Sequence, residues 1–180
     1  MKVDHTPDSD RPRAKPGKGI YRRNLPHLQP DDKTFYITFC TYDRWWLPGS
    51  ARTIALEHCL RERDVRIHLH GVVVMPDHVH MIMVPLRDPW ETTYALSEIM
   101  NSVKGASSHR INKALGRRGT VWQPESFDHV LRSDEKVAEK LDYMCLNPVR
   151  RGLVEKPEDY PWLWLEQMDG EMAGGSDARG

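Results

Sequence analysis

Val72-Val-Val-Met-Pro-Asp-His-Val-His-Met-Ile-Met-Val84 is apolar at almost every position except one Asp and two histidines. Runs this apolar read as strands buried on both faces, here two strands meeting at a Pro76-Asp77 turn. Side chains alternate along a strand, so His78 and His80 leave the same face with Val79 behind them. Two imidazoles about 7 Å apart along a strand suit shared coordination of one divalent ion, or two anchors for one phosphate. The ordinary alternative is a pair of core histidines bonded to neighbouring backbone or carboxylates, because buried polar groups need partners.

Outward from this hairpin the chain alternates between strand and helix patterns. Thr34 to Thr41 is β-branched and aromatic and reads as the first strand. Leu47-Pro-Gly-Ser is punctuation, and Arg52 to Arg63 places Ile54, Leu56, Cys59 and Leu60 at helical spacing. Val65 to Met75 is the second strand and His78 to Val84 the third. Thr92 or Thr93 is expected to cap a long helix reaching about Leu115, with Leu96, Ile99, Met100, Val103, Ile111 and Leu115 along one face. Gly116 and Gly119 close it. Trp122 to Pro124 is a loop and Phe127 to Arg132 a short fourth strand. Ser133 then caps a helix from Asp134 to about Leu146, which Asn147-Pro148 is expected to stop.

The order β-α-β-β-α-β-α begins with the split βαβ arrangement of a ferredoxin-like α+β domain, an antiparallel sheet with helices on one face. The last helix is an addition to that core. In this topology the two histidines lie on an interior strand.

A chain of 180 residues suits one domain with trimmings. Residues 1–19 hold almost nothing apolar and read as a disordered arm. Residues 20–165 form the domain, and 166–180, Gly-rich and acidic, a flexible tail. Formal charge is balanced, yet residues 101–132 carry Lys104, Arg110, Lys113, Arg117, Arg118 and Arg132 against only Glu125 and Asp128. Cys40, Cys59 and Cys145 are odd in number and form no Cys-x-x-Cys, which points to a reduced, cytoplasmic protein with buried thiols. The N-terminus has no apolar h-region and no apolar run approaches about 18 residues, so a soluble protein without a membrane partner is expected.

On the added helix, Tyr143 and Asn147 are four apart and share a face if the last turn holds. A phenol can become a covalent nucleophile and an amide oxygen can ligate a hard cation. In isolation a tyrosine packed near a helix end and an Asn-Pro helix stop explain the same residues. The combination is more specific. Met75-Pro-Asp-His-Val-His80, Val121-Trp-Gln123, Phe127-Asp-His129 and Tyr143-Met-Cys-Leu-Asn-Pro-Val-Arg-Arg-Gly-Leu-Val154 together resemble the single-tyrosine HUH transposases. The trailing Pro157-Glu-Asp-Tyr-Pro-Trp162 resembles the REP-associated branch of that group, and the likeness covers roughly residues 20–165.

This resemblance implies a ferredoxin-like core in which His78 and His80 ligate Mg²⁺ or Mn²⁺ with Asn147 as a third polar ligand. It implies Tyr143 as nucleophile on a scissile phosphate of single-stranded or hairpin DNA, leaving a 5′-phosphotyrosine and a 3′-OH. It also implies a nucleoid-associated protein, as a monomer or a homodimer. Asp77 stands where the family commonly has Asn, a change without expected consequence, since both suit a tight turn. Cys145-Leu146 replaces residues that are often polar or aromatic, a change expected to affect packing. Lys104, Arg110, Lys113, Arg117, Arg118 and Trp122 mix charge with a stacking surface and are expected to contact DNA, as are Arg150 and Arg151. His68 and His70 are expected to line the sheet face or its rim, a wider metal site being the alternative. His129 is expected to be structural or DNA-facing, and His58 a solvated helix residue. Two other functions fit parts of the pattern: a hairpin-binding module that no longer cuts, and a metal phosphohydrolase that uses water and has no need of Tyr143.

Overall fold

The computed structural model describes residues 33–166. The arm at 1–19, residues 20–32 of the expected domain, and the expected tail beyond its first residue, Glu166, lie outside the described residues. Five strands form one antiparallel sheet in the order β4-β1-β3-β2-β5: β1 (Thr34–Cys40), β2 (Ile67–Val74), β3 (His78–Pro85), β4 (Phe127–Leu131) and β5 (Leu163–Leu165). The first four follow the split βαβ order expected from sequence, and the histidine strand β3 lies between β1 and β2. The β2–β3 link is a tight hairpin in which the Met75 N–H donates to His78 O at 2.8 Å.

The crossover helices α1 (Gly49–Arg61) and α2 (Leu96–Ala114) cover one face. Ile37, Phe39, Val79, Met81 and Met83 meet Ile54, Ile99 and Val103 there. The third helix, α3 (Asp134–Arg150), covers the other face, where Met144 and Cys145 pack with Tyr36, Val73, Ile82 and Leu165. His78 and His80 have the parity of Ile82 on β3, so they point toward α3. Among the described residues no helix is long and apolar enough to cross a membrane. All three cysteines are thiols, with Cys59 and Cys145 buried.

Three boundaries differ from expectation, each for a local reason. Neither Thr92 nor Thr93 caps α2. The Asp88 carboxylate instead accepts the Trp90 and Thr92 N–H groups, Thr93 bridges to Arg87, and the helix opens after Ala95. Asn147-Pro148 does not stop α3, which runs on to Arg150. A proline removes one N–H and strains the residue before it, but the buried apolar face of α3 outweighs that cost. The helix ends instead at Gly152, whose φ of 65° is left-handed. The Gly152 N–H reaches Val149 O at 2.9 Å and the Leu153 N–H reaches Pro148 O at 3.0 Å, a Schellman closure. Finally, the chain returns as β5 along β2, a strand that the trailing Pro- and Trp-rich segment does not announce.

Gly71 sets how closely α3 approaches the sheet. A Cβ there would lie 2.6 Å from Met144 Cε, 2.9 Å from Leu165 Cδ2 and 3.0 Å from Leu141 Cδ2. Beside it the β2–β3 register shifts between Leu69 and Gly71, a bulge with His70 as the inserted residue.

Candidate metal and nucleic-acid site

On β3 the two imidazoles turn toward each other, with His78 Nε2 3.1 Å from His80 Nε2. Two nitrogens held about 2.1 Å from one ion at right angles lie about 3.0 Å apart, so this pair fits adjacent ligands of a single metal. The remote nitrogens are both engaged. His78 Nδ1 is 2.7 Å from Asp77 Oδ1, and His80 Nδ1 is 2.8 Å from Thr38 Oγ1 and 2.9 Å from Tyr36 Oη. A proton on each Nδ1 leaves the two Nε2 lone pairs for a cation, the usual outer shell of a histidine-bound metal.

The electrostatics agree with neutral rings. Burial lowers His78, although the hydrogen bond and charge of Asp77 oppose it. Burial, with the charges of His78 and Lys140, pushes His80 down to about 3. For Asp77, burial would raise the carboxyl. The hydrogen bond and charge of His78, with Arg151 and Arg44, win and hold it below the ordinary carboxylate range. Arg151 Nη1 donates to Asp77 Oδ1 at 3.0 Å and Arg44 Nη2 lies 3.4 Å from Oδ2. Asp77 is thus more than a turn residue: its carboxylate ties His78 to two cations. Burial pushes the Tyr36 phenol up to about 12, against the Thr38 hydrogen bond, so Tyr36 acts as a neutral partner of His80.

α3 brings Tyr143 to the same place. Its ring is 6.4 Å from that of His80 and crosses it at 67°. Tyr143 is 42 % exposed. Lys140 Nζ lies 5.5 Å from the Tyr143 ring and 5.2 Å from that of Tyr36, and the Arg150 guanidinium lies 4.9 Å from Tyr143. Asn147, one turn beyond Tyr143, is buried. Next to this cluster a cleft of about 360 Å³ is lined by Tyr36, Phe127, His129, Lys136 and Lys140 among others. His129 pairs with Tyr36 across β4 and β1 and so faces the site.

The basic residues on and after α2 are placed differently. Lys104 donates to Pro124 O at 2.7 Å and holds the loop before β4. Arg110 pairs with Glu57 and ties α2 to α1. Arg117 stacks 3.7 Å over Trp45. Trp122 is a correction to the expected stacking surface. It is 4 % exposed, packs edge-on against Phe39 and donates its Nε1–H to Ser107 Oγ at 2.9 Å, so no base can reach its face. Lys113 and Arg118 are exposed. α2 lies across the sheet from His78 and His80, whereas Arg150 and Arg151 stand at the site. His58 is also a correction: it is buried, not solvated.

Tyr36, Thr38 and Lys140 are not singled out by sequence reasoning, and Asp77 reads there as a turn residue without further consequence. Their signals are positional. Asp77 directly precedes the first histidine, Tyr36 and Thr38 share one parity on a strand beside the histidine strand, and Lys140 is one turn before Tyr143.

Residues 37–136 match the family described as IS200-like transposases, a span that includes His78 and His80 and stops before Tyr143. A REP-associated tyrosine transposase of Escherichia coli (strain K12) is 28% identical over 102 residues, 56% of this chain and 56% of that protein. A Haemophilus influenzae protein provisionally given the same name is 29% identical over 97 residues, 51% of this chain and 55% of its own. The match therefore spans about half the length of these curated relatives. A solved REP-associated tyrosine transposase bound to a REP hairpin superposes with a TM-score of 0.60 at 22% identity, over 88% of this chain and 87% of that one, a likeness of fold.

Proposed function

Because this chain belongs to the IS200-like transposase family, we propose that it is a metal-dependent endonuclease and strand transferase for single-stranded, hairpin-forming DNA, with Tyr143 as its nucleophile. The observation that carries the reading is the meeting, within one chain, of two Nε2 atoms 3.1 Å apart with an exposed tyrosine on the facing helix. A phosphohydrolase that uses water has no need of a phenol at that point. The hairpin enters by analogy with the fold relative, which is bound to one.

His78, His80 and Asn147 would hold Mg²⁺ or Mn²⁺, which when bound supplies Lewis acidity toward a phosphate oxygen. The protein's own groups do the rest. Asp77 fixes the orientation of His78, and Thr38 and Tyr36 fix that of His80. Lys140 and Arg150 place positive charge beside Tyr143, where a phosphate backbone would be drawn in. The Tyr143 oxygen forms a bond to phosphorus while the bond to the 3′ oxygen breaks. The phenolic proton is lost and the 3′ oxygen leaves with the electron pair and takes up a proton. The 5′-phosphotyrosine is itself a phosphodiester, so an incoming 3′-OH can reverse the step and join a new strand.

The test is incubation of the full chain with labelled hairpin oligonucleotides and Mg²⁺ or Mn²⁺. A covalent protein–DNA adduct is expected, and none with Tyr143→Phe. A Tyr143→Phe protein that cleaves as well as the parent overturns the reading, and tight hairpin binding without cleavage by the parent would make the chain a silent binding module.

A further inference from the structure

His68 and His70 do not simply line the sheet. The bulge in β2 and the register of β5 gather them with a carboxylate. Val73, Val72 and Gly71 pair in turn with Leu163, Trp164 and Leu165, so the next step brings Glu166 beside His70. His68 Nε2 is 3.3 Å from Glu166 Oε1, and His70 Nδ1 is 3.4 Å from Oε2. One donor atom from each residue lies within 4.8 Å of the other two. The two rings cross at 83° with centroids 4.6 Å apart.

The two nitrogens are buried and face the Glu166 carboxylate at distances long for a hydrogen bond. Buried imidazole nitrogens held this loosely are weakly satisfied, and three donors this close are what a cation between them would satisfy. We propose that His68, His70 and Glu166 form a second metal site, suited to a borderline-soft divalent ion such as Zn²⁺ and separate from the His78–His80 pair. Two imidazoles and a carboxylate are a known zinc donor set, and the carboxylate brings a negative charge that the Asn147 amide of the first site does not. His68 pairs with Val84, four residues along β3 from His80 and roughly 13 Å away, so the two sites do not share an ion. A cation here would clamp the end of β5 to β2 beside Gly71, on the floor beneath α3.

The test uses the full chain carrying His78→Ala and His80→Ala, stripped with chelator, so that the first site is absent. This protein is expected to take up one equivalent of Zn²⁺ and to melt at a higher temperature with it. Adding His70→Ala should remove that uptake, and adding Glu166→Gln should weaken it at least tenfold. His70→Cys supplies another zinc ligand and should restore uptake; loaded with Co²⁺ it should show a thiolate-to-cobalt charge-transfer band. Zinc uptake that is the same with and without His70→Ala, or a His70→Cys protein without that band, overturns the proposal. If His70→Ala does not fold, the Glu166→Gln titration and the cobalt spectrum decide it. Because the readouts are metal stoichiometry and spectroscopy, their failure leaves the cleavage reading untouched.

Discussion

The carboxylate of Asp77 is held by His78, Arg151 and Arg44 together, so its removal acts on the proposed metal ligand His78 through orientation and charge. Asp77→Ala is expected to lower Mn²⁺ affinity about 10–100-fold, measured by calorimetry, whereas Asp77→Asn, which keeps an oxygen for the imidazole, falls at the mild end of that range. Burial is the largest cause holding His58 below its usual value, followed by the charges of Arg61 and Arg110. The unfolded chain therefore takes up the proton first as pH falls. The stability this residue contributes is complete above about 6.5 and lost as pH drops through its folded value. His58→Gln is expected to flatten the decline of the urea midpoint between pH 7.5 and pH 5. At this scale the sequence is legible where one rule applies: His78 and His80 share a face because strands alternate. It is less legible where a residue serves twice, as Asp77 does in a turn and on an imidazole.

Among the elements, α3 packs onto β2 most closely at Gly71, where the strand has no side chain. Gly71→Val is expected to cost about 1–3 kcal/mol by overpacking against Met144, Leu141 and Leu165. It is also expected to lower adduct formation beyond what the stability loss explains, since lifting α3 moves Tyr143. Urea denaturation and adduct yield at a fixed folded fraction separate the two effects. Periodicity and β-branched or aromatic composition made the first three strands and the helices readable, while β4, FDHVL with its first three residues exposed, was legible only as a short run after a loop. Periodicity failed at the ends of helices. The Pro148 signal was overruled by packing, and Gly152 was the true stop. It failed also for β5, whose three residues are too few to show alternation.

For the molecule as a whole, both halves of the candidate site come from one chain, since Tyr143 already stands beside His80 without exchange of α3 between copies. Mixing a Tyr143→Phe protein with a His80→Ala protein is therefore expected to restore no cleavage, where exchange of helices would regenerate a working site; adduct formation in the mixture is the measurement. The sheet also partitions the charge. The run from Lys104 to Arg118 drew attention because it is dense in sequence, but α2 lies on the far side of the sheet from the histidines and several of its cations are spent on the protein itself. Sequence shows which residues are charged, not which face of a sheet they occupy. The outer rim of β2 has a different consequence. Val72-Val-Val-Met75 is a run of the kind that stacks into fibrils when its backbone is bare. Three residues of β5 cover that rim, so the last described turn of the chain also guards it against self-association.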